Sequence, residues 1–239
     1  MEEFWEIGPG LGALTGPLLS RVSVPVRAFE LDRKLAAYLR EKFPRLDLRE
    51  GDVNYADFAA VSPGRRIAVL SNLPYHLSSP ILFKLFEEKA RIARMVLTFQ
   101  KEYAERLVAR PRTPDYGALS VMCQLHFSLS SLGVLPPGAF YPVPGVASEA
   151  VLFEPKASVP DIQLVGRVLK VAFRQRRKKL SSNLKQAYPT ANAEEALAAL
   201  GLSPTVRPEE LSKEQYVALA ALIKAQISEG NCPEKNCES

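Results

Sequence analysis

Two loops and two acidic positions in this sequence carry residues that could do chemistry together. The first loop is Glu6-Ile7-Gly8-Pro9-Gly10-Leu11-Gly12-Ala13, where a short apolar run, residues 4–7, gives way to helix-compatible residues. Glycines at such a junction let backbone approach a ligand closely and turn sharply. The spacing also satisfies the dinucleotide fingerprint, with Ala13 in the last small position. Glu30 ends a second predicted strand, Val26–Glu30, 20 residues beyond Gly10, where a carboxylate accepts hydrogen bonds from ribose hydroxyls. Gly51-Asp52 follows a third strand, and Asp52 either accepts from an adenine amino group or bonds nearby backbone in a turn. Asp32 lies two residues past its strand end and reads as solvent-facing or helix-capping. These features, in this order, suit a nucleoside-bearing cofactor and leave NAD and S-adenosylmethionine both open.

The second loop, Ser71-Asn72-Leu73-Pro74-Tyr75, chooses between them. Asn-x-Pro is ordinary turn material, but an exposed Tyr after Pro at a strand end is also a platform for a planar base. An exocyclic amine conjugated to adenine is a poor nucleophile, because its lone pair is delocalised into the ring. Accepting hydrogen bonds from both amine protons, through the Asn72 side-chain oxygen and a backbone carbonyl near Leu73-Pro74, shifts that nitrogen toward tetrahedral geometry. The lone pair can then attack a sulfonium methyl in line. Positioning and electrostatics supply the catalysis, with no strong general base. The base must be unstacked and held, which Tyr75 does by stacking.

The elements that must position these residues alternate in type. Strands are predicted at residues 4–7, 26–30, 46–49, 66–71 and 94–100, with helices at 33–43, 80–88 and 102–109. That order predicts a parallel sheet covered by helices on both faces. Residues 127–154 lack a helical period and supply an antiparallel edge around the Pro-rich loop 136–144. From 162 onward the pattern is helical, at 162–173, 178–187, 193–200 and 212–227. The expected architecture is a Rossmann-like α/β domain at 1–155, a small all-helical domain at 156–228 and a disordered tail at 229–239.

Composition narrows the class. The 239 residues are 47% hydrophobic, enough for a packed core and too many for a disordered chain. No run of about 18 apolar residues suggests a membrane span. The first residues lack the pattern of a signal peptide, and three cysteines make no disulfide framework, so a cytoplasmic protein is expected. The net charge of +5 is unevenly spread: between Ile162 and Ala193 stand eight Lys and Arg and no acid. A one-sign stretch of this kind suits a polyanion.

Taken together, the motifs resemble those of the small-subunit (16S) ribosomal RNA adenine N6,N6-dimethyltransferase family, KsgA in bacteria. The resemblance runs from Glu6 to about Ile227. It includes the two loops, Glu30-Leu31-Asp32, Gly51-Asp52, Gln100-Lys101-Glu102, the stretch from Tyr116 to Val121, and Phe140-Tyr141-Pro142-Val143-Pro144-Gly145-Val146. It implies S-adenosylmethionine as cofactor, held at Gly8, Gly10, Glu30, Asp52 and Asn72. It implies a catalytic loop of Asn72, Leu73, Pro74 and Tyr75, with Phe140 as second aromatic wall of the base pocket. RNA phosphates are expected at Arg174, Arg176, Arg177, Lys178 and Lys179. The implied reaction is two methyl transfers to each of two adjacent adenines in the hairpin near the 3′ end of the RNA, within a nearly assembled 30S particle. Relatives carry an N-terminal arm with a Gln-x-Phe-Leu motif; none precedes Glu6 here, and weaker cofactor binding is expected. Nothing in the sequence demands more than a monomer, and no metal is expected.

His76 is not needed as a base, His126 reads as structural, Trp5 as a core or strand-edge residue, and Cys232 and Cys237 lack the further ligands zinc requires. The alternatives are a large-subunit RNA adenine methyltransferase, a DNA adenine methyltransferase, an NAD oxidoreductase, and a truncated or non-catalytic ribosome-assembly factor. The residues 116–121 and 173–180 favour the small-subunit family over the first. DNA enzymes favour two prolines before the aromatic residue, and an oxidoreductase leaves the Asn72–Tyr75 loop unexplained.

Overall fold

A computed structural model describes residues 2–157 and 159–230; the expected tail, with Cys232 and Cys237, falls almost entirely outside them. The chain divides into two compact units, one of Met1–Ala104 with His126–Lys156 and another of Glu105–Leu125 with Ala157 onward.

The first unit is built on a seven-stranded sheet of order β3-β2-β1-β4-β5-β7-β6. Its strands and helices run β1 (Glu3–Ile7), α1 (Thr15–Arg21), β2 (Val26–Glu30), α2 (Arg33–Lys42), β3 (Asp47–Glu50), α3 (Phe58–Val61), β4 (Ile67–Asn72), α4 (Ser78–Glu87) and β5 (Ile92–Gln100). α5 (Lys101–Val108) and α6 (Ala118–His126) follow, then β6 (Phe127–Leu135) and β7 (Ser148–Pro155). The five strands β1 to β5 are mutually parallel, and β7 runs antiparallel between β5 and β6. Strands covered on both faces carry little alternation: every residue of β2 is buried. The edge strand β6 is the reverse, with Leu132 and Val134 exposed. Predicted and observed strand bounds differ by at most two residues.

Chain order reverses at β1, which leads outward through β2 to β3 on one side and pairs with β4 on the other. The carboxyl ends of parallel strands beside such a reversal form a crevice where ligands bind. On the amino-terminal side of the sheet, Arg27 of β2 is buried and bonds Asp47 at 2.6 and 2.8 Å, the Val61 carbonyl at 2.6 Å and Glu3 at 2.9 Å. Trp5 is fully buried against Phe29 and Phe58, a core residue.

The second unit packs α7 (Ile162–Ala172), α8 (Leu180–Ala187), α9 (Ala193–Ala199) and α10 (Lys213–Gly230) around Val168, Leu169, Leu184, Leu197, Leu219 and Ile223. Tyr116, Val121 and Leu125 belong to the same core. This corrects the expected boundary, which left residues 105–125 in the first domain: Tyr116, Val121 and Leu125 are buried among the helices of the second unit. α6 is a helix beyond those expected, and it overlaps the motif at residues 116–121.

Candidate active site

β1 ends in a loop whose glycines have left-handed backbone, with φ of +58° at Gly10 and +81° at Gly12. The two glycines do different work. A Cβ on Gly12 would lie 2.3 Å from Cε2 of Phe43, so a side chain must be absent there for Phe43, at the end of α2, to pack. A Cβ on Gly10 would meet nothing within 4 Å, so this stretch of backbone stands open to a ligand. Gly12→Ala is therefore expected to cost about 2–4 kcal/mol of stability from strain and overpacking together. Gly10→Ala carries the strain alone, about 1–2 kcal/mol. Urea unfolding of the two variants measures the difference.

Ladder-like bonds continue past the strand ends and lock the crevice. Gly8 N–H donates to the Phe29 carbonyl at 2.9 Å, Gly51 N–H donates to the Glu30 carbonyl at 2.9 Å, and the Ser71 hydroxyl donates to the Ile7 carbonyl. The Glu30 carboxylate accepts from Gly10 N–H at 3.2 Å and from Asp32 N–H at 2.9 Å. It thus joins the glycine loop to the start of α2. Asp32 caps α2, accepting from Lys34 N–H at 2.7 Å and Leu35 N–H at 3.1 Å. The Asp52 carboxylate accepts from the backbone N–H of Asn54 at 2.9 Å and from its side-chain amide at 2.8 Å. Both contacts fall on Oδ1, so its turn role leaves the other oxygen as an acceptor.

Glu6 is a buried carboxylate that accepts from the Thr15 hydroxyl at 2.6 Å. Burial pushes its carboxyl up to about 7; the Thr15 bond pulls the other way and the nearby charge of Glu30 adds to the rise. The folded state therefore holds this proton more tightly than the unfolded chain. Its contribution to stability is complete below pH 4.5 and is lost as pH climbs through about 7. A shift of this size corresponds to about 3 kcal/mol. Glu6→Gln, which keeps an acceptor for Thr15, should accordingly gain on the parent between pH 5 and pH 8 in urea titrations; parallel curves for the two would contradict the assignment.

β4 ends at Asn72, which pairs with Thr98 of β5 and is exposed. Leu73 is buried, and the Pro74 ring sits where a Cβ on Gly8 would lie 3.4 Å from its Cδ, so the two loops meet. The Pro74 carbonyl accepts from Leu77 N–H at 2.9 Å and from the Ser78 hydroxyl at 3.2 Å. Tyr75 is half-buried rather than exposed as expected from the sequence, because its hydroxyl is bonded to Ser148 at 2.6 Å. No local pattern points to that partner, which lies 73 residues away. Phe140 is half-buried in the loop before β7, its N–H donating to the Pro137 carbonyl at 3.1 Å. Ser148 pairs with Gln100, so β7 starts at the same sheet edge at which β4 and β5 end.

His76 is exposed, whereas His126 is buried and stacked on Phe86 at 4.7 Å. Burial and the Lys89 charge lower the His126 imidazole to about 4, which keeps it neutral at ordinary pH. In the second unit the basic stretch lies between α7 and α8. Arg174, Arg177, Lys178 and Lys179 are exposed. Arg176 is not: its guanidinium donates to the Thr113 carbonyl at 3.1 Å and lies 3.9 Å from Glu209. Its internal partners give it a structural task within the unit.

Among the described residues no helix is long and apolar enough to cross a membrane. The family model for ribosomal RNA adenine dimethylase matches residues 2–225. The chain is 42% identical over 227 residues to ribosomal RNA small subunit methyltransferase A of Aromatoleum aromaticum, covering 92% of this chain and 83% of that protein. Among solved structures it is similar to a dimethyladenosine transferase from Plasmodium falciparum, with TM-score 0.77, 23% identity and coverage of 95% and 91% of the two chains. It is also similar to the 23S rRNA methyltransferase ErmE, with TM-score 0.67, 25% identity and coverage of 93% and 91%.

Proposed function

The chain belongs to the ribosomal RNA adenine dimethylase family, and on that premise we propose that it dimethylates N6 of two adjacent adenines in the 3′-terminal hairpin of small-subunit ribosomal RNA. The observation that carries the reading is the Asn72-Leu73-Pro74-Tyr75 loop at the end of β4, in contact with the glycine loop across the sheet's reversal point.

The residues present fit S-adenosylmethionine. The open backbone at Gly10 admits close approach, and the Glu30 carboxylate keeps lone pairs beyond its two backbone donors for ribose hydroxyls. Asp52 offers its second oxygen to an adenine amino group. When bound, this cofactor supplies an electrophilic methyl on a sulfonium that departs as a neutral thioether.

The remaining steps belong to the chain. Tyr75 and Phe140 hold the extruded base between them. The Asn72 amide oxygen accepts one N6 proton. The second acceptor is the Leu73 carbonyl, since the Pro74 carbonyl already accepts from Leu77 and Ser78. In the first transfer both protons would be engaged, and in the second the one that remains, which would release the nitrogen lone pair from the ring for attack on the cofactor's methyl. After transfer the nitrogen sheds a proton to solvent, and the exposed position of Asn72 leaves that route open. Arg174, Arg177, Lys178 and Lys179 give affinity and orientation through phosphates, with little sequence reading. The enzyme acts in the cytoplasm, as a monomer, on a nearly assembled 30S particle.

A second reading, methylation of large-subunit RNA, has the similarity to ErmE in its favour. Incubation with labelled cofactor and separate small and large ribosomal subunits lacking the modification distinguishes them. Label in small subunits alone supports the proposal, and label in large subunits selects the second reading. Salt-sensitive binding without incorporation would mark a non-catalytic assembly factor.

A further inference from the structure

We infer that Ser148 is a positioning residue for this reaction: its hydroxyl fixes the Tyr75 ring as one wall of the base pocket and ties it to the strand that follows the loop bearing the other wall. The inference rests on the functional reading above and adds to it a residue outside both loops.

The geometry is specific. Ser148 Oγ lies 2.6 Å from Tyr75 Oη, and either atom can be the donor. Ser148 is fully buried, so its hydroxyl has no access to water as a substitute partner. Its backbone is held on both sides, opposite Gln100 of β5 and opposite Leu135 of β6. The preceding residue is pinned as well, with the Ala147 carbonyl accepting from Lys101 N–H at 2.9 Å. The hydroxyl therefore projects from one of the most constrained points at this sheet edge.

Tyr75 needs such an anchor. It follows Pro74 in a short 3-10 turn, and the only polar atom of its side chain is the hydroxyl bonded to Ser148. The turn fixes the Cα end of the ring through the two bonds to the Pro74 carbonyl. Ser148 fixes the far end. An extruded base stacks on a ring that is already oriented without first ordering it, and a misplaced wall moves the reacting nitrogen off the methyl axis. Phe140 lies in the loop that runs into Ser148, so one hydroxyl links the first wall to the base of the loop bearing the second. Ser148 touches no reacting atom in this account and acts only through Tyr75.

The test removes one oxygen at a time, in Tyr75→Phe, Ser148→Ala and the double variant. The readouts are methyl transfer to unmodified small subunits at saturating cofactor, cofactor affinity and Tm. Each single variant should lose about tenfold in kcat/KM. The double variant should be no worse than the poorer single by more than about twofold, since both changes delete the same bond. Cofactor affinity should stay within about twofold of the parent. Losses that multiply to about 100-fold would overturn the inference. So would a Ser148→Ala enzyme that melts early yet transfers methyl normally per folded molecule. Should Ser148→Ala not fold, Tyr75→Phe alone decides, because it leaves the buried strand intact: an unchanged rate rejects the role. A parent enzyme that methylates no ribosomal particle would instead reject the functional reading and this inference with it, a result distinct from an active parent with normal variants.

Discussion

Asn72→Ala should lower the rate of adenine methylation by about 10²–10³-fold while leaving the fold intact, the range seen when a preorganised hydrogen-bonding group is removed from a reacting centre. The side chain is exposed at the end of β4, so truncation leaves no cavity, and stability should stay within about 0.5 kcal/mol of the parent. What is lost is the acceptor that draws one N6 proton out of the ring plane. An acceptor at this position matters only once the nitrogen begins to rehybridise, so the loss should fall on kcat more than on KM for the particle. Asn72→Asp keeps an acceptor oxygen and should retain more activity than Asn72→Ala. Single-turnover transfer with saturating cofactor measures both. Equal losses in the two variants would show that the side chain matters for packing or charge and not as an acceptor.

Arg27→Ala should destabilise the first unit by about 3–5 kcal/mol, the cost of breaking one side of a buried ion pair. Arg27 bonds Asp47, Glu3 and the Val61 carbonyl, and its guanidinium lies 5.9 Å from the centre of the Trp5 ring. Removing it strands the fully buried Glu3 carboxylate, which keeps the Ser62 hydroxyl at 2.7 Å and the half-exposed Arg65 at 3.6 Å. The penalty comes from that orphaned charge, so a compensating change at Glu3 should reverse much of it. Arg27→Met combined with Glu3→Gln is expected to unfold at a urea concentration nearer the parent's than Arg27→Ala does. The network sits at the amino-terminal side of the sheet, away from the strand ends that carry Gly8, Glu30 and Asn72. Methyl transfer per folded molecule should therefore be unchanged.

The parts of this protein that were legible in the sequence are those whose cause is local. The glycine loop announces itself because only glycine tolerates the backbone at Gly12, and Glu30 follows at the distance one crossover helix imposes. Asp32 was readable as a cap from its place before the α2 stripe. The Rossmann-like sheet followed from the alternation of short apolar runs with helical stripes. What was missed depends on distant contacts. The Tyr75–Ser148 bond joins the turn after β4 to the first residue of β7, and no local pattern marks a serine at a strand start as a tyrosine's partner. Arg176 shares the charge of its basic neighbours, and only its ties to Thr113 and Glu209 set it apart. Glu105–Leu125 carries a mixed pattern, and its Tyr116, Val121 and Leu125 join a helical core whose other members come from Val165 onward. Glu6, 2% exposed, reads as part of a motif, yet its carboxyl is held by Thr15 and by the dielectric around it.

The measurement that tests the central claim most directly is identification of the modified nucleosides, with their positions, after reaction of the pure protein with S-adenosylmethionine and small subunits lacking the modification. N6,N6-dimethyladenosine at two adjacent positions near the 3′ end, absent with Asn72→Ala, is the predicted result. Methyl groups on another atom or another base, or dimethyladenosine formed equally well by the Asn72→Ala protein, would contradict it.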